Sequence, residues 1–257
     1  MKLKVFVAIP ARYLSTRLPG KPLADIGGKS MIRRVYEQAA RASGIAGVIV
    51  ATDDERIAEE VRSFGGEAIM TSPDHASGTD RLAEVFQNRD ADVVVNVQGD
   101  EPFLDPRLIE ALIKPMVDEP DLQFATLKTP INDPAELLDE TIAKLVVDEN
   151  DYVLYFSRSP IPFIRDHMKI EKGRVTIEKS PPCTLYKHVG LYAYRRAFLA
   201  RFAAWAPAPI ERLEQLEQLR ALYYGVRIKA VTVEHDGFSI DTPEDLERAK
   251  QRISQET

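Results

Sequence analysis

Apolar runs alternate with segments of helical spacing along the first half of the chain. The apolar runs predict four strands, at 3–9, 47–51, 67–70 and 92–97. Apolar residues three and four positions apart predict the intervening helices, at 30–42, 55–64 and 79–87. Strand and helix in repetition are typical of a parallel sheet with right-handed crossovers.

The predicted sheet is covered on both of its faces. Its fourth strand contains Val93, Val94 and Val95 in succession, without polar alternation. Such apolar strands are typical of a parallel sheet that lies between two layers of helices. A further helix is predicted to begin at Asp105-Pro106, where a capping residue precedes a proline. The fold class is therefore α/β, with a mostly parallel central sheet and helices on both faces.

The pattern changes after about residue 123. Three strands are predicted without full helices between them, at 123–130, 143–148 and 152–157. The stretch 158–187 has several prolines and little periodicity, so we interpret it as an arm inserted into one domain of residues 1–257, with dimerisation as its candidate role. The chain then resumes with predicted elements at 188–194 (strand), 197–204 (helix), 210–224 (helix), 227–233 (strand) and from Pro243 (helix).

Composition limits the classes of protein to which the chain can belong. Its 257 residues are 44% hydrophobic and carry a formal net charge of −6, which argues against a nucleic-acid partner. No apolar stretch reaches the ~18 residues that cross a bilayer, and no signal peptide is recognisable. The single cysteine, Cys183, excludes an internal disulfide and fits a reducing compartment. We therefore expect a cytoplasmic protein that is not inserted into a membrane.

Positive charge is concentrated at the start of this acidic chain. Residues 1–34 hold eight Lys or Arg and one Asp, a formal +7. The loop after the first predicted strand contains Arg12, Ser15, Arg17 and Lys21. Arginines could bind a triphosphate through bidentate hydrogen bonds, and the lysine could add a point charge. A solvated basic loop would show the same residues. The nearby Gly27-Gly28-Lys29-Ser30 is not a P-loop, because that motif requires a glycine at position 23, which is Leu23.

Two aspartates are candidate ligands of Mg²⁺. Asp100 follows the strand that ends in Asn96-Val97-Gln98-Gly99, and Asp241 precedes Thr242-Pro243. Magnesium commonly takes one or two protein carboxylates together with phosphate oxygens and water. Each aspartate could equally be a turn or helix-capping residue.

Two further groups of polar residues are weaker signals. The loop at 75–81 could hydrogen-bond a base edge, or Ser77 or Thr79 could simply cap the next helix. The later group consists of Arg158, His188, Tyr192, Glu217 and Gln218. A tyrosine in a strand is more often a core residue, and Glu and Gln on a helix are usually solvated.

Seven sequence blocks resemble the bacterial sugar-acid cytidylyltransferases, and together they look like the 3-deoxy-manno-octulosonate cytidylyltransferase family. They are IPARYLSTRLPGKPL at 9–23, ATD at 51–53, HASGTDR at 75–81, NVQGDEP at 96–102, YFSR at 155–158, EQLR at 217–220 and DTPED at 241–245. The blocks cover nearly the whole chain in the expected order. The stretch around 158–187 departs most from the family pattern.

The resemblance implies a Rossmann-like nucleotide-diphospho-sugar transferase fold and transfer of CMP from CTP to the anomeric hydroxyl of 3-deoxy-D-manno-octulosonate (KDO), for lipopolysaccharide biosynthesis. It implies Mg²⁺ as the cofactor, held by Asp100 and Asp241, and a homodimer. It implies the following catalytic residues: Arg12, Arg17, Lys21, Asp100 and Asp241. The implied nucleotide-binding residues are Ala11, Arg12, Ser15, Lys21, Ala51, Thr52, Asp53, Ser77, Gly78 and Asp100. The implied sugar-acid residues are Arg81, Gln98, Arg158, His188, Tyr192, Glu217 and Gln218.

Three other functions remain compatible with the sequence. The nearest is a CMP-sialic acid synthetase or another nucleotide-sugar pyrophosphorylase of similar topology. A non-catalytic nucleotide-binding module would bind CTP without turning it over. A purely structural dimer would leave the Arg12, Arg17 and Lys21 loop without a role.

Overall fold

A computed structural model describes residues 3–14, 18–165, 168–171, 174–177, 183–235 and 237–256. Strands within these ranges are β1 (Val5–Ala11), β2 (Gly47–Thr52), β3 (Glu67–Met70), β4 (Val93–Asn96), β5 (Phe124–Pro130), β6 (Lys144–Val147), β7 (Val153–Ser157), β8 (Met168–Glu171), β9 (Arg174–Ile177), β10 (Tyr186–Arg195) and β11 (Ile228–Thr232). Helices are α1 (Met31–Ala39), α2 (Glu55–Ser63), α3 (Gly78–Gln87), α4 (Pro106–Asp118), α5 (Arg196–Ala204), α6 (Pro209–Glu214), α7 (Leu219–Tyr223) and α8 (Pro243–Glu256). Short 3-10 turns lie at Lys21–Leu23 and Pro134–Leu137.

The central sheet has the strand order β11-β5-β10-β4-β1-β2-β3. β1 pairs in parallel with β2 and with β4, and β11 pairs in parallel with β5. β10 runs antiparallel to its neighbours β4 and β5, and the β6–β7 pair joins the sheet through β10. The predicted α/β class with a mostly parallel sheet is confirmed.

Alternate residues of β1 point into two separate cores. Val5, Val7 and Ile9 pack with apolar residues of α1, α2 and α4 on one face. Phe6 and Ala8 pack with apolar residues of α3 and α5 on the other face. This two-sided burial explains why the strand shows no polar alternation.

Side-chain caps begin the helices that follow the strands. Ser30, Asp54 and Asp105 each accept a hydrogen bond from a main-chain N–H in the first turn of α1, α2 and α4, respectively. At α3, Ser77 and Asp80 form a reciprocal capping box. These caps satisfy N–H groups that lack a partner within the helix. Since the helices follow strands β2 and β3 and the β4 region, the caps also lie near the carboxyl edge of the sheet.

β1 has the predicted length but lies two residues further along the chain, at Val5–Ala11 instead of 3–9. Its pairing with β4 covers Val5 to Ala8, whereas its pairing with β2 continues through Pro10 to Ala11. A proline lacks an N–H donor and is tolerated where a strand is paired on only one side. The strand therefore delivers Ala11 and Arg12 directly to the edge of the sheet.

The predicted single helix over 210–224 is wrong. The structure has two short helices, α6 and α7, separated by Gln215 in the left-handed conformation with φ of 53°. Helix propensity along this segment is overridden by contacts from the end of β7, which are described below.

The predicted arm at 158–187 contains a small hairpin of β8 and β9. Ile164 and Met168 pack with Leu137 and Leu185 in a minor core. Strand β10 begins at Tyr186, just inside the predicted end of the arm. Residues 166–167, 172–173 and 178–182 of the predicted arm lie outside the described residues.

Candidate active site

A cleft of about 430 Å³ lies at the carboxyl ends of β1 and β4. The end of β1 contributes Ala11 and Arg12, and the segment after β4 contributes Gln98 and Asp100. The loop before α3 forms another wall, with His75, Ser77 and Gly78. Ligands of open parallel sheets bind at this edge, so the cleft is the candidate active site.

Lys21 connects two carboxylates that are far apart in sequence. Its Nζ donates to Asp100 Oδ2 at 2.7 Å and to Asp241 Oδ1 at 3.0 Å. The Lys21 side chain is 13% exposed, against 27% for Asp100 and 36% for Asp241. The cluster is thus shielded from water on one side and open to the cleft on the other.

Local backbone geometry places Lys21 at this position. Gly20 has φ of 70°, in the left-handed region, and its N–H donates to the carbonyl oxygen of Tyr13 at 3.0 Å. The ring of Tyr13 lies so close that a Cβ on Gly20 would meet its hydroxyl oxygen at 3.2 Å. Glycine satisfies both requirements because it tolerates positive φ and has no side chain.

The two aspartates form a donor set that fits Mg²⁺. Both carboxylates already face one cation, the Lys21 ammonium, and carboxylate oxygen is the ligand that Mg²⁺ prefers in proteins. Among the described residues, no three His, Cys, Asp or Glu side chains gather as a metal cluster. A magnesium ion here would therefore complete its coordination with substrate phosphates and water.

Glycines allow the cleft walls to approach the end of β1. A Cβ on Gly78 would meet Cγ of Pro10 at 3.0 Å, and a Cβ on Gly99 would meet the carbonyl oxygen of Pro10 at 3.2 Å. Larger residues at either position would push the walls away from the strand. The two glycines therefore set the width of the cleft.

The segment at 51–53 supports the cleft from behind. Ala51 and Thr52 are buried at the end of β2, and Asp53 accepts from Arg81 Nη2 at 2.9 Å. Arg81 is itself buried and also donates to Thr71. Of these five residues, only Arg81 lines the cleft.

A second cavity of about 670 Å³ adjoins the cleft at Asp241. Its walls include Arg158 from the end of β7 and His188 from β10. Gln98 lies between the two spaces, with its Nε2 donating to the carbonyl oxygen of Gly190, a residue of the second cavity, at 3.4 Å. The two cavities meet at one of the candidate metal ligands.

His188 and Tyr192 are partly buried neutral groups on β10. His188 Nε2 shares a hydrogen bond with Thr126 Oγ1 at 2.8 Å, and burial lowers its pKa to about 3. Burial also raises the pKa of Tyr192, whose hydroxyl donates to Gln218 Oε1 at 3.4 Å. Both side chains are therefore uncharged hydrogen-bonding groups at neutral pH.

Glu217 and Gln218 carry buried polar atoms that lack hydrogen-bond partners among the described residues. Glu217 Oε2 accepts from Thr79 Oγ1, whereas Glu217 Oε1 and Gln218 Nε2 are unsatisfied. Burial raises the pKa of Glu217. Unpaired buried polar atoms are costly. Neither residue lines the cleft or the second cavity, although the preceding residue, Leu216, lines the second cavity.

Sequence reasoning missed Glu101, which lies beside Asp100. Burial raises its pKa to about 8, with a smaller contribution from the charge of Asp100. Its Oε2 is buried without a hydrogen-bond partner among the described residues, and the residue lines the second cavity. The signal was present in the sequence as a second acidic residue directly after Asp100.

A family model with the description "Cytidylyltransferase" matches residues 6–228. The chain belongs to the cytidylyltransferase family. The 3-deoxy-manno-octulosonate cytidylyltransferase of Trichlorobacter lovleyi is 50% identical, with 98% of this chain and all of the relative aligned. The enzyme of the same name from Geobacter sulfurreducens is 48% identical, with the same coverage.

Solved structures of cytidylyltransferases share the fold. CMP:2-keto-3-deoxy-manno-octonic acid synthetase, solved in complex with CTP, superimposes on this chain with a TM-score of 0.90. The two sequences are 45% identical, and the alignment covers 99% of this chain and all of the other. A cytidylyltransferase from Leptospira borgpetersenii has a TM-score of 0.64 at 18% identity, covering 98% of this chain and 87% of its own, which shows a common fold alone.

The structure brings most of the predicted site residues of this cytidylyltransferase into the two cavities. The cleft takes Ala11, Arg12, Lys21, Ser77, Gly78, Arg81, Gln98, Asp100 and Asp241. The second cavity takes Arg158 and His188 and shares Asp241. Ser15 and Arg17 lie outside the described residues. Ala51, Thr52 and Asp53 lie behind the cleft rather than in its lining. The predicted sugar-acid residues Tyr192, Glu217 and Gln218 line neither cavity.

Proposed function

We propose that this cytidylyltransferase transfers CMP from CTP to the anomeric hydroxyl of KDO and releases diphosphate. The observation that carries the proposal is the convergence of Lys21, Asp100 and Asp241 where the cleft meets the second cavity. A nucleotide in the cleft would place its α-phosphate beside this cluster, within reach of a sugar acid in the second cavity. Named relatives of near-equal length catalyse this reaction according to their names.

The cleft would hold the nucleotide through cations and main-chain groups. Arg12 and Lys21 line the cleft at the end of β1, and they would bind the triphosphate together with Arg17 and Ser15. Ser77 and Gly78 would meet the cytosine and ribose, with the 51–53 segment supporting that wall. The positive charge of residues 1–34 supports an anionic ligand at this place.

The second cavity and its surroundings would hold the sugar acid. Glu217 Oε1 and Gln218 Nε2 are the buried polar atoms that could hydrogen-bond its hydroxyls. Tyr192 and His188 would add neutral donors and acceptors, and Gln98 and Arg81 would contact the sugar near the α-phosphate. A site built of such groups rejects analogues that lack the matching hydroxyl.

The chemistry would be an in-line displacement at the α-phosphorus. The anomeric oxygen forms a bond to phosphorus, the bond from phosphorus to the diphosphate oxygen breaks, and the hydroxyl proton leaves to a carboxylate or water. Asp100 and Asp241 would hold Mg²⁺, which would neutralise phosphate charge and make the sugar hydroxyl more acidic. Lys21 and Arg12 would stabilise the charge that develops on the departing diphosphate.

We propose a cytoplasmic homodimer that supplies lipopolysaccharide biosynthesis. In the described part of the chain, no helix combines the length and apolarity needed to cross a bilayer. Phe163 in the arm is 65% exposed and Leu154 is 62% exposed, which supports an apolar contact between copies. Sedimentation of the Phe163→Glu variant tests the dimer, with dissociation to a monomer as the expected result.

Diphosphate release from CTP in the presence of KDO and Mg²⁺ tests the proposed reaction. We expect release only when all three are present, and a weaker response with a sialic acid. CTP binding without release would identify a nucleotide-binding module instead. Release that is faster with a sialic acid than with KDO would assign a different sugar acid.

A further inference from the structure

The chain bends sharply just before the two residues with unsatisfied polar atoms. α6 ends at Glu214, Gln215 adopts φ of 53°, and α7 begins at Leu219. A continuous helix would rotate each residue by about 100° from the previous one and would present Glu217 and Gln218 on different faces from those observed. Their direction in the protein therefore depends on the bend at Gln215.

Hydrogen bonds from the end of β7 stabilise this bend. Both carboxylate oxygens of Glu214 accept hydrogen bonds from β7 and its next residue: Oε1 from Ser157 Oγ at 2.7 Å and Oε2 from the main-chain N–H of Arg158 at 2.9 Å. The carboxylate thus fixes the last residue of α6 to the sheet. Glu214 does not line the second cavity.

The Arg158 guanidinium donates hydrogen bonds to main-chain carbonyl oxygens at the bend and in the loop before β6. Nε donates to Glu214 O at 2.7 Å, and Nη2 donates to Gln215 O at 3.3 Å. Nη1 donates to Glu140 O at 2.7 Å and to Thr141 O at 3.3 Å. The side chain therefore ties the bend to the loop before β6.

These bonds leave little of the guanidinium for a ligand. A guanidinium has five N–H donors, and here the N–H of Nε, both of Nη1 and one of Nη2 are directed at carbonyl oxygens. A bidentate hydrogen bond to a substrate carboxylate would require at least one of these contacts to break. The arrangement favours a structural task for Arg158, although it borders the cavity.

We infer that Arg158 is a positioning residue, which acts by holding the Gln215 bend so that Glu217 and Gln218 face the sugar acid. The inference rests on the proposed function, and it gives Arg158, one of the implied sugar-acid residues, an indirect role instead of direct contact with the substrate carboxylate. Glu214 and Ser157 should have the same effect, since their hydrogen bond fixes the end of α6, just before the bend, to strand β7. Loss of any of the three should disturb sugar-acid binding without disturbing the nucleotide cleft.

Kinetics of the Glu214→Ala and Arg158→Ala variants distinguish the two roles. Because hydrogen bonds to charged groups are lost in both, we expect each variant to raise the KM for KDO by about tenfold or more, while the KM for CTP changes by less than about twofold. Arg158→Lys should not rescue binding, because a single ammonium cannot replace four directed bonds. A normal KM for KDO in Glu214→Ala, with rescue in Arg158→Lys, would overturn the inference in favour of direct carboxylate contact.

Variants of Gln215 provide the matched control. Gln215→Gly keeps access to positive φ and should leave both KM values within about twofold of the wild type. Gln215→Val opposes positive φ and should reproduce the KDO defect. Equal behaviour of the two variants would show that the bend does not matter for binding.

Hydrogen–deuterium exchange measures the stability of the bend independently of activity. Arg158→Ala should accelerate exchange in the segment 213–219 and leave the segment 5–11 of β1 unchanged. Unchanged exchange at 213–219 would contradict the inference. Absence of diphosphate release by the wild-type protein would contradict only the proposed function, since the exchange result stands without it.

Discussion

The main-chain N–H of Ile240 donates to the carbonyl oxygen of Asp100 at 2.9 Å. This bond joins the segment after β4 to the segment before α8, and it places Asp241 beside Asp100. The side chains of both aspartates then reach Lys21. Two acidic residues separated by most of the chain are thus fixed to each other through the backbone, which makes their convergence independent of a bound ion.

Loss of one of these carboxylates should impair turnover more than binding. We expect Asp100→Ala to lower kcat by about 10²-fold or more, by analogy with the loss of other groups that stabilise transition-state charge. The rate of diphosphate release at saturating CTP and KDO, measured against Mg²⁺ concentration, checks this. Asp105→Asn is the matched control, since Asp105 does not line the cleft and asparagine can replace it as the cap of α4, although the substitution also weakens an exposed ion pair with Arg107. Near-normal turnover and magnesium dependence in Asp100→Ala would refute the assignment.

If Asp100 and Asp241 hold Mg²⁺ as proposed, Lys21 would compete with the ion for the same two carboxylates. Replacing it with methionine keeps an unbranched stem and removes the charge, so Mg²⁺ should bind the variant more tightly. We expect the increase in Tm produced by Mg²⁺ to be larger in Lys21→Met than in the wild type, because ligand binding to the folded state stabilises it. Turnover should fall at the same time. An unchanged Tm response would show that the two aspartates do not bind the ion.

His188 should make the protein sensitive to acid. Burial lowers its pKa from 6.5 to about 3, so the unfolded chain binds a proton between these values that the folded protein does not. The stabilising contribution is present above pH 6.5 and is lost as the pH falls towards 3. His188→Gln should therefore lose less stability than the wild type between pH 7 and pH 4.

Urea denaturation at a series of pH values checks the His188 prediction. The free energy of unfolding of the wild type should fall more steeply with acid than that of the variant. Replacement of His75, which pairs with Glu84 on the surface of the cleft, provides a comparison at another histidine. Parallel curves for the wild type and His188→Gln would contradict the buried neutral state.

Arg56 supports, through Tyr13, the turn at Gly20 that precedes Lys21, a proposed triphosphate ligand. Its guanidinium carbon lies 3.4 Å from the centroid of the Tyr13 ring, and that ring packs against Gly20 beside Lys21. An exposed cation–π contact contributes about 0.5–1 kcal/mol, so Arg56→Ala should raise the KM for CTP about two- to fivefold. The KM for KDO should not change. Arg62→Ala, which removes an exposed arginine from the same helix, should leave both values unchanged.

Much of the fold was predictable because local pattern and tertiary structure agree. The strands that became β1 and β4 are short, continuous apolar runs, and they are buried on both faces. Asp100 could be placed at the edge of the sheet since it directly follows such a strand. Arg12 and Lys21 could be placed there for the same reason.

The remaining features depend on contacts between distant segments. The bend at Gln215 is held by Ser157 and Arg158, which lie more than fifty residues earlier, so helical spacing alone predicted one long helix. The role of Arg158 has the same cause, because only the structure shows the carbonyl oxygens around its guanidinium. The burial of Glu101 likewise follows from tertiary packing.

The reversed direction of β10 brings residues of the second cavity to the edge of the sheet that carries the cleft. Because this strand runs against β4 and β5, its beginning rather than its end lies at the functional edge, and it brings His188 there directly from the arm. The parallel strands β1 and β4 reach the same edge from the opposite direction with Lys21 and Asp100. If the cleft binds CTP and the second cavity binds the sugar acid, as proposed, substitutions in the arm could change selectivity for the acceptor without changing the residues that bind the nucleotide, and this is a route by which one scaffold could come to serve different acids.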